Sequence, residues 1–158
     1  MGGESDQIAG IGEELRPDPS ANRWCFGCGP DNPIGLHLHF RRTADGVETR
    51  FVAQPEHQGW DRIVHGGIVM AVLDEALAYA AFLVVGPVVT GELQVRLRRP
   101  CPVAQELTAE GRIVSMRHGV LVGEARLLDQ QGQIIAEARG KLVTKGSGMR
   151  AAEPRQNA

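Results

Sequence analysis

Aromatic side chains are scarce in this sequence. Two Trp, one Tyr and four Phe among 158 residues leave few flat faces on which bases could stack, so a single-stranded nucleic-acid platform is not expected. An excess of one charge is missing as well. Seventeen basic residues against nineteen acidic ones give a net charge of −2, and the pI is about 6.2, so no partner with a phosphate backbone and no anionic membrane surface is implied. Cysteine is too sparse for a disulfide framework: three thiols, with no charged-then-apolar leader, read as a reduced cytoplasmic protein. Long hydrophobic runs are lacking too. The longest uncharged apolar stretch, Ala76 to Val89, has 14 residues and contains Gly86 and Pro87, short of the roughly 20 that a bilayer-spanning helix needs. The phosphate-binding patterns G-x-G-x-x-G and G-x-x-x-x-G-K-[ST] are absent, and so is the serine-hydrolase elbow G-x-S-x-G.

What is present suits one domain. Hydrophobic residues make up 42 % of the chain, enough for a core. Residues 1–22 read as a loose tail with one short helical turn near Ile11–Leu15, residues 23–145 as the folded domain, and 146–158 as a disordered end. Within the domain LHLHF (36–40) and VETRFVA (47–53) alternate around an Asp45-Gly46 hairpin turn. A loop, PEHQGWDRI, leads into a helix from about Gly66 to Val84 that Gly86-Pro87 ends. ELQVRLRRP (92–100) alternates with Leu93, Val95 and Leu97 inward, and further strands are expected at 103–115, 119–129 and 133–144. The order is β-β-α-β-β-β-β, an α+β architecture. A helix apolar on nearly every side must be covered nearly all round. One curved antiparallel sheet can wrap most of it, and a second subunit the remainder.

Inside that helix stand Asp74 and Glu75, the only two charges between His65 and Glu92. The ordinary use of such a pair is a solvent face. Asp74, however, shares its side with Ala78 and Ala81, whose small side chains leave room for water or a substrate. A carboxylate in an apolar pocket has a raised pKa, which suits a general base or nucleophile near neutral pH. Gly66 and Gly67 open the helix, and their N–H groups have no intrahelical acceptor. Such amides can stabilise a carbonyl oxygen on which negative charge develops. Glu75 points about 100° away from Asp74 and reads as structural or interfacial.

His65-Gly66-Gly67, Asp74 nine residues after the histidine, Thr90 sixteen residues after the aspartate, and a strand of the form T-x-x-L-x-V-x-L-x-x-P together resemble the hotdog-fold thioesterases. The branch is that of the PaaI-like and 4-hydroxybenzoyl-CoA thioesterase-type acyl-CoA thioesterases. The resemblance covers roughly residues 34–145, and CFGCGPDNPIGLHL (25–38) is similar to the N-terminal segment of a subgroup. It implies a sheet wrapped around one long helix, and a homodimer, with a dimer of dimers open. It implies hydrolysis of acyl-CoA to free acid and CoA, with coenzyme A entering only as part of the substrate and no separate cofactor or metal. Asp74 corresponds to the family's general base or nucleophile and Thr90 to a hydroxyl that orients water. A Gly66 or Gly67 amide corresponds to the donor to the thioester carbonyl, and His65 to a group near the loop or the leaving sulfur. Asp74 of one subunit would work with Gly67 or Thr90 near the other. Many relatives carry Asn where Gly59 stands, six residues before His65; Gln58 or Asp61 are the substitutes at hand.

Other groups stay open. Arg117-His118, in a turn before Gly119, and Arg98, Arg99 and Lys141 are candidate cations for the CoA phosphates. Trp60, Tyr79, Phe82 and Phe51 are candidates for the acyl tunnel. Cys25 and Cys28 form a C-x-x-C that could be drawn as a zinc site with His37 and His39. The histidines sit one residue apart in strand-like alternation and no second knuckle follows, so a tight structural turn is preferred. A non-catalytic acyl-CoA-binding module and a purely structural dimer are the rival readings.

Overall fold

A computed structural model describes residues 9–16 and 22–144; the expected C-terminal tail and most of the N-terminal one lie outside the described residues. The strands are β1 (Arg41–Arg42), β2 (Val47–Val52), β3 (Gln58–Trp60), β4 (Ile63–Val64), β5 (Val88–Leu97), β6 (Glu106–Arg117), β7 (Val120–Leu128) and β8 (Ile134–Thr144), with one helix, α1 (Gly66–Val85), between β4 and β5. Six strands form an antiparallel sheet in the order β1-β2-β6-β7-β8-β5, and β3 and β4 make a separate small hairpin. Helix α1 lies across β2, β5, β6, β7 and β8. This is the hotdog arrangement that the sequence led us to expect.

By length and hydropathy alone α1 would suit a bilayer. It is instead the core helix. Val72, Leu73, Ala76 and Leu77 have no exposed surface, and each fully buried leucine contributes roughly 1.5–3 kcal/mol. Gly86 ends it with φ 79°, its N–H returning to Phe82 O at 2.9 Å, a left-handed stop that glycine takes at low cost. The sheet comes unusually close. A Cβ at Gly111 of β6 would stand 2.3 Å from Ala76 O, and Leu77 nests against Gly123 and Gly140, register partners on β7 and β8.

Three expectations need correction. LHLHF does not pair as a strand. His37 has φ 50°, so the ladder breaks, and the backbone of Leu36 and Leu38 bonds to Phe26 O and Gly27 O instead. The inward alternation nevertheless survives, with Leu38 and Phe40 buried. Residues 9–16 are neither loose nor a helical turn: Gly12 N–H and Leu15 N–H donate to Arg42 O and Phe40 O, Glu14 bridges Arg41, and Leu15 is buried. Leu97 faces the helix mouth, near Gly66, but stays 48 % exposed, because β5 is the edge of the sheet and none of the described residues pairs beyond it.

Candidate active site

The helix start is built by His65. It is the N-cap residue, and its Nδ1 accepts the N–H of Gly67 at 2.9 Å. A bond accepted at Nδ1 leaves the ring proton on Nε2. The Gly67 amide is thus already engaged, while Gly66 N–H has no acceptor among the described residues. Of the two glycine amides expected to polarise a carbonyl, Gly66 is therefore the one left for it. His65→Ala should lower stability by about 1 kcal/mol, the usual worth of a cap, and Tm by about 2–4 °C in a chain of this size; a circular-dichroism melt checks this.

Asp74 and Thr90 meet. Thr90 Oγ1 donates to Asp74 Oδ1 at 2.7 Å. The bond joins the middle of α1 to the start of β5 and spans sixteen residues of sequence. It occupies one carboxylate oxygen; Asp74 shares a partly exposed helix side with Met70, Ala71 and Ala78, three or four residues away along α1. Ala81, expected on that side, is fully buried. Of Gly67 and Thr90, the two groups expected to work with Asp74 across subunits, Thr90 makes its contact with Asp74 within one chain.

The two halves of the site are separate within a chain. Gly66 and Gly67 precede Asp74 by eight and seven residues, or about 10–12 Å along the helix axis at 1.5 Å per residue. A reacting carbonyl needs its oxygen about 3 Å from the amide donor and its carbon close to the attacking oxygen. One chain cannot supply both.

The remaining candidates are scattered. Gln58 is spent in its own loop: Nε2 donates to Pro55 O at 2.8 Å and Oε1 accepts from Arg62 N–H. Trp60 is 81 % exposed, and Asp61 is exposed in the same β3–β4 turn. Gly59 has a physical reason to lack the expected Asn side chain, since a Cβ there would lie 3.2 Å from His65 Cα and 3.3 Å from its ring. Arg117 and His118 stand at the β6–β7 hairpin, a two-residue turn with φ 50° at His118 and 77° at Gly119, the primed geometry of tight hairpins. Neither makes a side-chain ion pair among the described residues, whereas Arg98 pairs with Glu137 and Lys141 with Glu92. The registers run Arg117–Val120–Val143–Val89 across the sheet, three strand spacings or about 14 Å. Arg117 therefore stands at the Thr90 end of the sheet. Tyr79 stacks on Phe40 in the core, centroids 4.5 Å apart, and is not free to line a tunnel. A hollow of about 890 Å³ lies among the Arg–Glu ladders of β6, β7 and β8, and none of the candidate site residues lines it.

Sequence reasoning missed the role of Glu75. It is the carboxylate that burial pushes up, with Cys28 and Cys25 bonding to it and Asp74 adding repulsion. The sequence signal was the C-x-x-C itself, which local spacing paired with His37 and His39. Both histidines are exposed, and His39 bonds Glu14 at 2.8 Å.

Comparison with known proteins agrees with the fold. Residues 62–136 match the thioesterase superfamily model. A solved thioesterase superfamily protein is 25 % identical with a TM-score of 0.71; the match covers 81 % of this chain, which spans 63 % of that protein's length. The E. coli PaaI protein from the phenylacetic acid degradation operon is 21 % identical over 70 % of this chain and 81 % of its own, at TM-score 0.65. A Bacillus halodurans protein solved with CoA is 23 % identical over 74 % of this chain and 80 % of its own, at TM-score 0.66. None of the curated proteins compared with the chain matches it.

Proposed function

From a chain whose residues 62–136 belong to the thioesterase superfamily and whose fold is the hotdog fold, we propose an acyl-CoA thioesterase: acyl-CoA and water give the free acid and CoA. The observation that carries the reading is the 2.7 Å bond from Thr90 to Asp74, on the partly open helix side that Asp74 shares with Met70, Ala71 and Ala78. Thr90 holds Oδ1, so that Oδ2 either takes a proton from water or attacks the thioester carbon itself. Gly66 N–H stabilises the charge that grows on the carbonyl oxygen. The His65 imidazole stands beside that amide, and Arg117 with His118 beside it in the turn, and Arg99, are the groups for the CoA phosphates, none of them in an ion pair among the described residues. The CoA held by the similar Bacillus halodurans protein supports this substrate class.

The working unit is a homodimer. Separation of Asp74 from Gly66 along α1 requires a second helix mouth at each site. Strand β5 offers a ten-residue edge, paired only with β8, for a partner to cover, and an open edge of that length ordinarily has one. Leu97, the last residue of β5, is 48 % exposed, and Met70 on α1 is 40 % exposed. Subunit mixing tests the arrangement. Asp74→Asn and Gly66→Val chains, each inactive alone, are unfolded and refolded together. Sites shared between subunits give half heterodimers, each with one intact site, and so about one quarter of wild-type activity. Sites within single chains give no recovery.

The function itself is tested by CoA release from short, medium, long and aromatic acyl-CoAs. We expect turnover on at least one class, and the best substrate identifies the acyl group. Tight binding without release on all of them would establish a binding module instead.

A further inference from the structure

Beside the Asp74 site, a second group of reactive side chains converges from distant parts of the chain. The sulfurs of Cys25 and Cys28 and a carboxylate oxygen of Glu75 all lie within 4.8 Å of one another. We propose that this chain binds one zinc ion through Cys25 Sγ, Cys28 Sγ and Glu75, tying the 22–36 loop to helix α1 next to the catalytic carboxylate.

Geometry and charge both favour a cation here. Cys25 Sγ stands 3.6 and 3.8 Å from the two Glu75 oxygens. Two ligands on one tetrahedral zinc, at about 2.3 Å for sulfur and 2.0 Å for oxygen, are themselves about 3.5 Å apart. No Lys, Arg or His among the described residues pairs with Glu75. Its hydrogen-bond partner among the described residues is the Cys25 thiol, a weak donor, with the Cys28 sulfur close by. A mostly buried carboxylate on an apolar helix, with only those partners, lacks the compensation that buried charge requires.

The loop is shaped around these atoms. Gly29 N–H closes the C-x-x-C turn on Cys25 O at 2.9 Å. Gly27, between the cysteines, lies so close to Glu75 that a Cβ would stand 2.5 Å from its carboxyl carbon, and a larger residue would push the carboxylate aside. One helical turn beyond Glu75 stands Tyr79, whose hydroxyl burial and the nearby Cys28 thiol push well above the usual phenol range.

Two thiolates and a carboxylate select a borderline-soft ion such as zinc over magnesium or calcium. Loading deprotonates both thiols and releases their protons to solvent. Three protein ligands leave one coordination position for water.

The test uses the full chain purified with reductant, its three thiols counted free after denaturation. Cobalt(II), which reports on zinc sites, should bind at one equivalent per chain with a thiolate charge-transfer band and tetrahedral visible bands, and zinc should displace it. Cys25→Ser and Cys28→Ser should each abolish the band, Glu75→Gln should weaken binding at least tenfold, and Cys101→Ser should change nothing. A wild-type chain with free thiols and no such band at saturating cobalt overturns the proposal. So does a Cys25–Cys28 disulfide in protein isolated without oxidant, or a band that survives loss of both cysteines. Should a ligand variant fail to fold, the wild-type spectrum and stoichiometry decide the matter.

Discussion

Asp74→Asn is expected to release CoA at least about 10²-fold more slowly than the wild type, the usual worth of a general base, with its melt and its oligomeric state unchanged. Asn keeps the shape of Asp and can still accept the Thr90 hydroxyl at Oδ1, so the fold has no reason to respond. What it loses is the ability to take a proton from water or to form an acyl bond at Oδ2. The loss should fall mainly on kcat, since the carboxylate is used in the transition state rather than to hold substrate. Stopped assays of CoA release on the best substrate of the panel, read as kcat and KM separately, check this. Full turnover in the folded variant would remove Asp74 from the chemistry, though not the fold from its family. Thr90→Val is the companion. It should cost less, about tenfold, because it frees Asp74 to wander without removing it.

The second large effect is on stability. Gly111→Ala should destabilise the domain by roughly 3 kcal/mol, the upper range for an overpacked core, and lower Tm by about 6–12 °C. The new Cβ would stand 2.3 Å from Ala76 O and 2.7 Å from its carbonyl carbon. Both atoms are helix backbone, which cannot rotate aside as a side chain would. The helix would have to lift from β6, and with it Leu77 from Gly123 and Gly140. Gly91→Ala is the control: its Cβ meets only Lys141 O, at 3.6 Å, and its effect should stay within about 0.5 kcal/mol. Equal melts for the two variants would show that the helix sits further from the sheet than this structure has it.

Much of the molecule was legible from sequence because its signals are local. Period-two alternation marked β2, β5, β6, β7 and β8 to within a few residues. The helix announced itself by a glycine pair at one end and Gly86-Pro87 at the other, and its all-round hydrophobicity required a wrapping sheet. The relation of Asp74 to Thr90 was legible only as a spacing; that the two side chains bond follows from β5 running back along α1.

Sequence by itself thus determined the class of fold, the one long buried helix and the residues at its mouth. Tertiary structure alone decided three things. It brought Cys25 and Cys28 to Glu75, fifty residues from Cys25, a meeting no local period can encode. It turned Arg42 and Phe40 toward residues 9–16 rather than leaving those residues loose, because the open edge of β1 offers backbone groups that must be paired. And it laid the start of β5 back along α1, so that the Thr90 hydroxyl meets Asp74 at 2.7 Å.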